Sequence, residues 1–356
     1  MWERVWKKIL RRRRFSILEL PAAGLWVGSL GYRVASRLHR AARKPSARVT
    51  LPVISIGNIT VGGSGKTPLV EFLSRFLLSD GLRVGIVSSG YRRFDPASFV
   101  EKGYKVQNRS FRETGDEVQF LSRQLPEAVF SLDKSKSAAA QHLAESGMVD
   151  VIVVDDGFQH FELARDLDII TYDAAIPARM LKPFPYGLLR EPLSALRRAD
   201  IVVITRSNFA RDIGGLIQKL HRINPDATHF HAQFLTEELV GQDRRLPVKY
   251  LEDKAVFLFA GVGNFRVLRK QAAALCADLD YAMELSDHQH YDLRLLDKIK
   301  RLADDYESDV ILTTGKDWVK LGDFDFGREI YYLAQSIDLD PGEEKLIGLV
   351  KERLRL

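Results

Sequence analysis

The stretch Ser55-Ile-Gly-Asn-Ile-Thr-Val-Gly-Gly-Ser-Gly-Lys-Thr-Pro68 decides the reading of this chain, because it joins an apolar strand to a helix through a loop suited to holding phosphate. Gly62, Gly63 and Gly65 carry no Cβ, so successive backbone N–H groups can turn inward around an anion. Lys66 brings a mobile cation for β- and γ-phosphates, Thr67 a hydroxyl for Mg²⁺, and Pro68 a fixed φ suited to the first helical turn. Thr60 stands where the standard pattern G-x-x-x-x-G-K-[ST] has its first glycine. The context compensates: the apolar run Val53 to Ile56 precedes the loop, and Leu69, Phe72, Leu73, Phe76 and Leu77 follow at helical spacing. The loop predicts a nucleotide-dependent enzyme, with Thr60, Gly62, Gly63, Ser64, Gly65, Lys66 and Thr67 around the phosphates.

Downstream, Val151-Ile-Val-Val-Asp-Asp156 reads as a buried strand ending in two acids. Asp155 and Asp156 supply the expected second half of a Mg²⁺ site, facing Thr67 across the ion. Taken alone they would be solvated turn acids before Gly157. Further β-type runs at 83–89, 127–132, 168–172 and 201–205, with a helix over 134–145, predict a mostly parallel sheet covered on both faces. From about Glu238 the alternation restarts, with strands at 255–261, 310–314 and 330–333 and helices at 265–277, 293–303 and 342–354. The expected fold class is α/β: a P-loop NTPase-like core over 45–238, a smaller α/β lobe over 239–339 and a closing helix over 340–356 that packs on the core. The functional edge is expected at the carboxyl ends of the strands.

The chain has 356 residues, a single cysteine (Cys276) and a net charge of +6. An internal disulfide or a cysteine metal cluster is excluded, which fits a reducing compartment. Residues 1 to 50 hold 13 Lys and Arg against Glu3 and Glu19, a local charge of +11 that leaves −5 for the rest. Trp2, Val5, Trp6, Ile9 and Leu10 recur at helical spacing opposite Glu3, Arg4, Lys7 and Lys8, and Arg11 to Arg14 follow. Tryptophan beside clustered cations predicts that residues 1–44 form a helical arm docking on an anionic leaflet. Glu19 and Pro21 interrupt the apolar stretch from Phe15 to Tyr32, so the arm is expected to lie in the interface rather than to span it. A secretory signal would separate the phosphate loop from its nucleotide, and no nucleic-acid fold accompanies the basic arm.

Gly57 to Pro68, Ser89-Gly-Tyr91, Gly115-Asp-Glu117, Asp155-Asp-Gly-Phe-Gln-His160, Leu189-Arg-Glu-Pro-Leu193, Phe259-Ala-Gly-Val-Gly-Asn264 and Asp287-His288 occur in the order of the tetraacyldisaccharide 4'-kinase family, which the chain resembles over nearly its whole length. The resemblance implies transfer of the γ-phosphate of ATP, with Mg²⁺, to the 4'-hydroxyl of an acylated glucosamine disaccharide 1-phosphate at the cytoplasmic face of the bacterial inner membrane, in lipid A biosynthesis. The expected partner is the anionic inner-membrane leaflet, with no nucleic acid, and the chain is expected to be a monomer. It makes Asp116 the catalytic base and His288 its partner, and places Arg190 and Glu191 near the nucleotide, where an arginine could neutralise phosphate charge. By themselves Asp116 reads as a helix-start acid and His288 as a surface histidine. Gly315, in Thr313-Thr-Gly-Lys-Asp317, stands where the family is expected to have an acid. Asp287-His-Gln-His290 and His229-Phe-His231 bring too few ligands for a closed zinc site. Tyr91, Phe184 and Tyr186 are candidates for sugar or acyl contact. Two other readings are a P-loop enzyme acting on a soluble metabolite and a nucleotide-gated membrane-binding protein.

Overall fold

The computed structural model describes residues 6, 9–10, 19–42, 47–90, 93 and 97–355. The flanks of the phosphate loop form as the sequence predicts: Val53–Asn58 is a buried strand, β1, and Lys66–Ser79 is a helix that turns Leu69, Val70, Leu73 and Leu77 inward. Along the chain follow β2 (Val84–Ser88), β3 (Phe99–Lys102), β4 (Val129–Leu132), β5 (Val151–Asp155), β6 (Leu167–Asp173), β7 (Ile201–Thr205) and β8 (Thr228–Val240). The second half adds β9 (Arg245–Pro247), β10 (Ala255–Ala260), β11 (Asp278–Glu284), β12 (Val310–Thr313) and β13 (Glu329–Asp340). Among the described residues all thirteen join one sheet in the order β11-β10-β12-β13-β8-β7-β6-β1-β5-β2-β4-β3, with β9 on β8. Pairing is parallel except for β13 with β8, β3 with β4 and β9 with β8.

The long pair β8 and β13 organises the molecule. It runs antiparallel from Tyr332 opposite Val240 to Asp340 opposite His231. The start of β8 also pairs with β7, as far as Ile204 opposite His231, and the start of β13 pairs with β12, as far as Thr313 opposite Tyr332. The strands β7 and β12 therefore point toward each other from opposite ends of one ribbon. The segment between His231 and Val240 sets their carboxyl ends roughly 30 Å apart at the rise of a strand. Ligands of α/β sheets bind outside the carboxyl ends of the strands. Here two such edges face each other across one cleft.

Apolar packing in each half supports this arrangement. Ile54, Val84, Phe130 and Val153 pack with Phe234 and Ile337 of the ribbon and with Leu346, Val350 and Leu354 of the helix Glu343–Leu354, which returns to the first half. The second half is built on Val256, Leu258, Leu312 and Tyr331. The boundary expected between residues 238 and 239 falls inside β8, a strand that both halves share.

Residues 19–42 form one helix, Glu19–Ala42, with Pro21 in its first turn, where the missing N–H has no partner to lose. Ala22 and Ser29 are buried beneath it, while Trp26, Val27, Leu30, Val34 and Leu38 are exposed along one face. The apolar face expected at the start of the chain is corrected here. Trp6, Ile9 and Leu10 are buried, and the Trp6 indole Nε1 donates to the Pro185 carbonyl at 2.7 Å with its ring against Phe184. Trp2, Val5, Arg11 to Arg14 and Tyr91 lie outside the described residues.

The helix Asp116–Gln124 meets the short helix Gly315–Trp318 across the two halves. Gly315 accepts no side chain there: a Cβ would stand 2.1 Å from Phe120 Cε2, and the Phe120 ring is itself held edge-on against Tyr332. Packing of the two halves thus accounts for glycine where an acid is expected. Gly315→Ala is predicted to destabilise the protein by about 1–3 kcal/mol through overpacking. In denaturant unfolding, most of that loss should vanish in a Phe120→Ala background; a loss of the same size in both backgrounds would contradict the packing account.

Candidate active site

The phosphate loop is held from outside so that its interior stays polar and open. Gly62 and Gly65 adopt positive φ (102° and 83°), and a Cβ on Gly65 would lie 2.4 Å from Phe234 Cζ of the ribbon. Only glycine satisfies both demands at position 65. The Ser64 hydroxyl is buried between Asn58 Nδ2 (2.7 Å) and Thr171 Oγ1 (2.8 Å), and Thr205 Oγ1 donates to the Ser64 carbonyl. Its side chain therefore braces the loop. The first arm is braced likewise: Val61 N donates to Leu188 O, Arg190 N to Ile59 O, and Thr60 bridges to Leu189. Arg206, at left-handed φ, donates to the Gly63 carbonyl and to Asp173.

At the end of β5 the two acids have different surroundings. The Asp156 carboxylate meets Lys66 Nζ at 3.3 Å on one oxygen and Arg190 Nη1 at 2.9 Å on the other. Burial disfavours its charge, but the cations of Lys66, Arg190 and Lys136 win and hold its pKa well below the usual carboxylate range. Asp155 is buried, and among the described residues no hydrogen bond reaches its carboxylate. Burial and the nearby charge of Glu117 push it up to about 6. Beneath both, the buried Lys136 ammonium donates to the Asp155 and Asp156 carbonyls. Glu191, which the family resemblance implies lies near the nucleotide, is a buried acceptor for Arg198, at 2.9 Å on each oxygen, and for Gln159.

Thr67, Asp155 and Asp156 offer hard oxygen donors at one loop junction, and no group of three or more His, Cys, Asp or Glu side chains among the described residues forms a metal cage. The Asp156 Oδ1 atom, which faces Lys66, accepts no hydrogen bond among the described residues. Such a set fits Mg²⁺, which keeps several waters and takes its other ligands from phosphates. The histidines considered for zinc are separate: His231 pairs with Asp340, and His290 hydrogen-bonds Arg112.

Asp116 and His288, 172 positions apart, meet across the cleft. His288 Nδ1 lies 3.0 Å from both carboxylate oxygens of Asp116, and His288 itself sits at left-handed φ. Asp116 opens its helix, and its Oδ1 also accepts the Glu117 N–H. Lys320 Nζ, almost wholly buried, stands 3.3 Å from Asp116 Oδ2 and 3.0 Å from Asp317 Oδ1, while Lys316 pairs with Glu117. Burial of Asp116 opposes ionisation, yet His288, Lys320 and Lys316 hold its carboxyl well below the usual range. Burial likewise opposes a charged His288, and Asp116, Asp287 and Glu117 overcome it to raise the imidazole's proton affinity. The loop after β10 closes the gap, for a Cβ on Gly263 would lie 3.3 Å from the Gly63 N–H.

Sequence reasoning did not find Lys136, Glu117, Lys316, Asp317 or Lys320. A lysine reads as surface until its distant partner is known, and Glu117 and Asp317, though inside recognisable motifs, show no partner in the sequence. The raised Asp155 gives a pH test in the ligand-free protein. Its folded form binds the proton more tightly than the unfolded one, so between about pH 4 and pH 6 stability falls as pH rises, and above that the cost is complete. Asp155→Asn should therefore stabilise the protein at pH 7 to 8, on the order of 3 kcal/mol and seen as a higher thermal midpoint, and leave it unchanged near pH 4. A midpoint that falls at pH 8 would show that the ionised carboxylate stabilises the fold.

The chain is similar to known proteins over most of its length. The sequence model of the family described as tetraacyldisaccharide-1-P 4'-kinase matches residues 21–355. A tetraacyldisaccharide 4'-kinase of Geobacter metallireducens is 34% identical over 313 residues, covering 85% of this chain and 89% of the relative. One of Chlorobium phaeovibrioides is 32% identical and covers 95% and 97%. The crystal structure of LpxK from Aquifex aeolicus in complex with ATP superposes with a TM-score of 0.72 at 28% identity, over 94% of this chain and 99% of that one. This chain belongs to the tetraacyldisaccharide-1-P 4'-kinase family.

Proposed function

We propose that this protein transfers the γ-phosphate of ATP to the 4'-hydroxyl of an acylated glucosamine disaccharide 1-phosphate, a lipid A precursor, at the cytoplasmic face of the inner membrane. The observation that carries the reading is the contact of His288 with Asp116 across the cleft, beside a phosphate loop, in a chain of this family. Asp116 accepts the proton of the acceptor hydroxyl as the hydroxyl oxygen bonds to the γ-phosphorus, and the bond from that phosphorus to the β–γ bridging oxygen breaks to release ADP. His288 orients the carboxylate. Lys66 and Arg190, both paired with Asp156, are the cations that would neutralise the transferred charge. Thr67, Asp155 and Asp156 would hold Mg²⁺, which supplies charge neutralisation between the phosphates. Catalysis then rests on positioning and electrostatics.

The helix Glu19–Ala42 is the membrane-facing element in this reading. Its exposed Trp26, Val27, Leu30, Val34 and Leu38 form an apolar stripe, and Arg33, Arg37 and Arg40 follow one another at helical spacing beside it. Cations flanking an apolar stripe suit an anionic interface. No helix among the described residues is long and apolar enough to cross a membrane. Arg40 also reaches Glu191, at 4.0 Å, which links this helix to the segment bracing the phosphate loop.

Labelled γ-phosphate should appear in the acylated disaccharide, and Lys66→Ala should abolish that transfer while the protein stays folded. Label released only into water would support a nucleotide-gated binding protein instead, and normal lipid phosphorylation by Lys66→Ala would remove the loop from the mechanism. For the membrane face, a chain carrying Trp26→Ala, Leu30→Ala, Val34→Ala and Leu38→Ala should sediment less with phosphatidylglycerol vesicles, and salt should weaken binding of the unaltered protein. Equal sedimentation of the two chains would contradict docking through this stripe.

A further inference from the structure

The arrangement behind Asp116 points to a residue that the reaction above does not use. Lys320 lies on the segment after the helix Gly315–Trp318, and its side chain is 3% exposed. Its Nζ stands between two carboxylates: Asp317 of its own segment, at 3.0 Å, and Asp116 of the other half, at 3.3 Å. Asp317 is completely buried and is itself fixed, because its Oδ2 accepts the Gly261 N–H at 2.9 Å and the Thr314 hydroxyl at 2.8 Å. The Tyr291 ring closes the site, with its centroid 5.3 Å from Nζ. An ammonium buried at this depth, held by a rigid acid on one side, has little freedom to turn away from the acid on the other.

We propose that Lys320 is a positioning residue for the Asp116–His288 pair: clamped by Asp317, its ammonium fixes the Asp116 carboxylate from the side opposite the helix backbone, so that one orientation faces the acceptor. This rests on the reading of Asp116 as the base. The geometry divides the work between the two halves. Glu117 N–H holds Oδ1 from the first half, and Lys320 holds Oδ2 from the second. His288 touches both oxygens and thus cannot by itself choose between them. The charged and titratable groups around the carboxylate are Glu117 on its own helix, His288 and Asp287 from the loop after β11, Tyr291 beyond that loop, and Lys316, Asp317 and Lys320 from the segment after β12. Removal of Lys320 takes one cation from this set and leaves the acids, so the pair must hold its proton to higher pH.

The test uses the full chain, with Lys320→Met and Lys320→Arg compared in lipid phosphorylation. Lys320→Met should lower kcat roughly tenfold to a hundredfold with little change in KM for ATP, as expected for a misplaced reacting group. The acid limb of its rate profile should move to higher pH. Lys320→Arg keeps the charge and should restore the limb to its original place. If Lys320→Met does not fold, Lys320→Met with Asp317→Asn, which removes the buried pair together, carries the kcat readout alone, because a cation and an acid leave the site together. Unchanged kcat and an unmoved acid limb in the variant without the lysine, in a protein where Asp116→Asn is inactive, would overturn the role of Lys320 alone. Full turnover by Asp116→Asn would overturn the reading of the base, and this proposal with it.

Discussion

The antiparallel pairing of β8 with β13 is the constraint on which the rest depends. Two parallel half-sheets would ordinarily direct their carboxyl edges into separate solvent spaces. Because β7 and β12 join opposite ends of the same ribbon, their edges face each other instead. The phosphate loop and the acids of β5 then lie opposite the loops after β10, β11 and β12. Packing reinforces the ribbon at both ends: Phe234 fills the space behind Gly65, and Tyr332 receives both the Phe120 ring and a hydrogen bond from Gln124. A residue such as Phe234 thus serves the core and the loop geometry together.

The cleft collects charges in matched sets. Lys66 and Arg190 meet Asp156, Lys316 meets Glu117, and Lys320 meets Asp116 and Asp317. Each partly buried acid needs a cation to remain ionised, and each of these cations is a candidate phosphate ligand or a brace for one. Asp155 is the exception, since no cation reaches its carboxylate directly and its proton is held up to about 6. An acid in that state gains most from a divalent ion nearby, which agrees with its proposed place at Mg²⁺.

The phosphate loop and its strand–helix context were legible because their demands are local: backbone N–H groups, missing Cβ atoms, and an amphipathic helix directly behind. Most strands of both halves were legible as apolar runs for the same reason. The ribbon was not, because β8 alternates buried and exposed positions across the point where the pattern changes, and that alternation looks like a connection between domains. The partner of Lys316 is 199 positions away, and the Asp116 that Lys320 reaches across the cleft is 204 away, so only the ordinary i,i+3 pair with Asp317 was visible nearby. Trp6 was misread as membrane-facing for a similar reason: the carbonyl of Pro185 that receives its N–H lies 179 positions further on. Asp116 and His288 came from ordered motifs rather than from chemistry visible in the chain, and the ribbon supplies the physical reason that they meet.

The central claim is that this ribbon makes one functional unit of a carboxylate from the first half and an imidazole from the second. The most direct measurement is a double-mutant cycle on turnover with Asp116→Asn, His288→Ala and the two combined, with ATP affinity measured alongside. The account predicts large losses of kcat in each single variant, near-unchanged ATP affinity, and a double variant little worse than the poorer single one. Fully additive losses would contradict it, since the two groups would then act independently across the cleft.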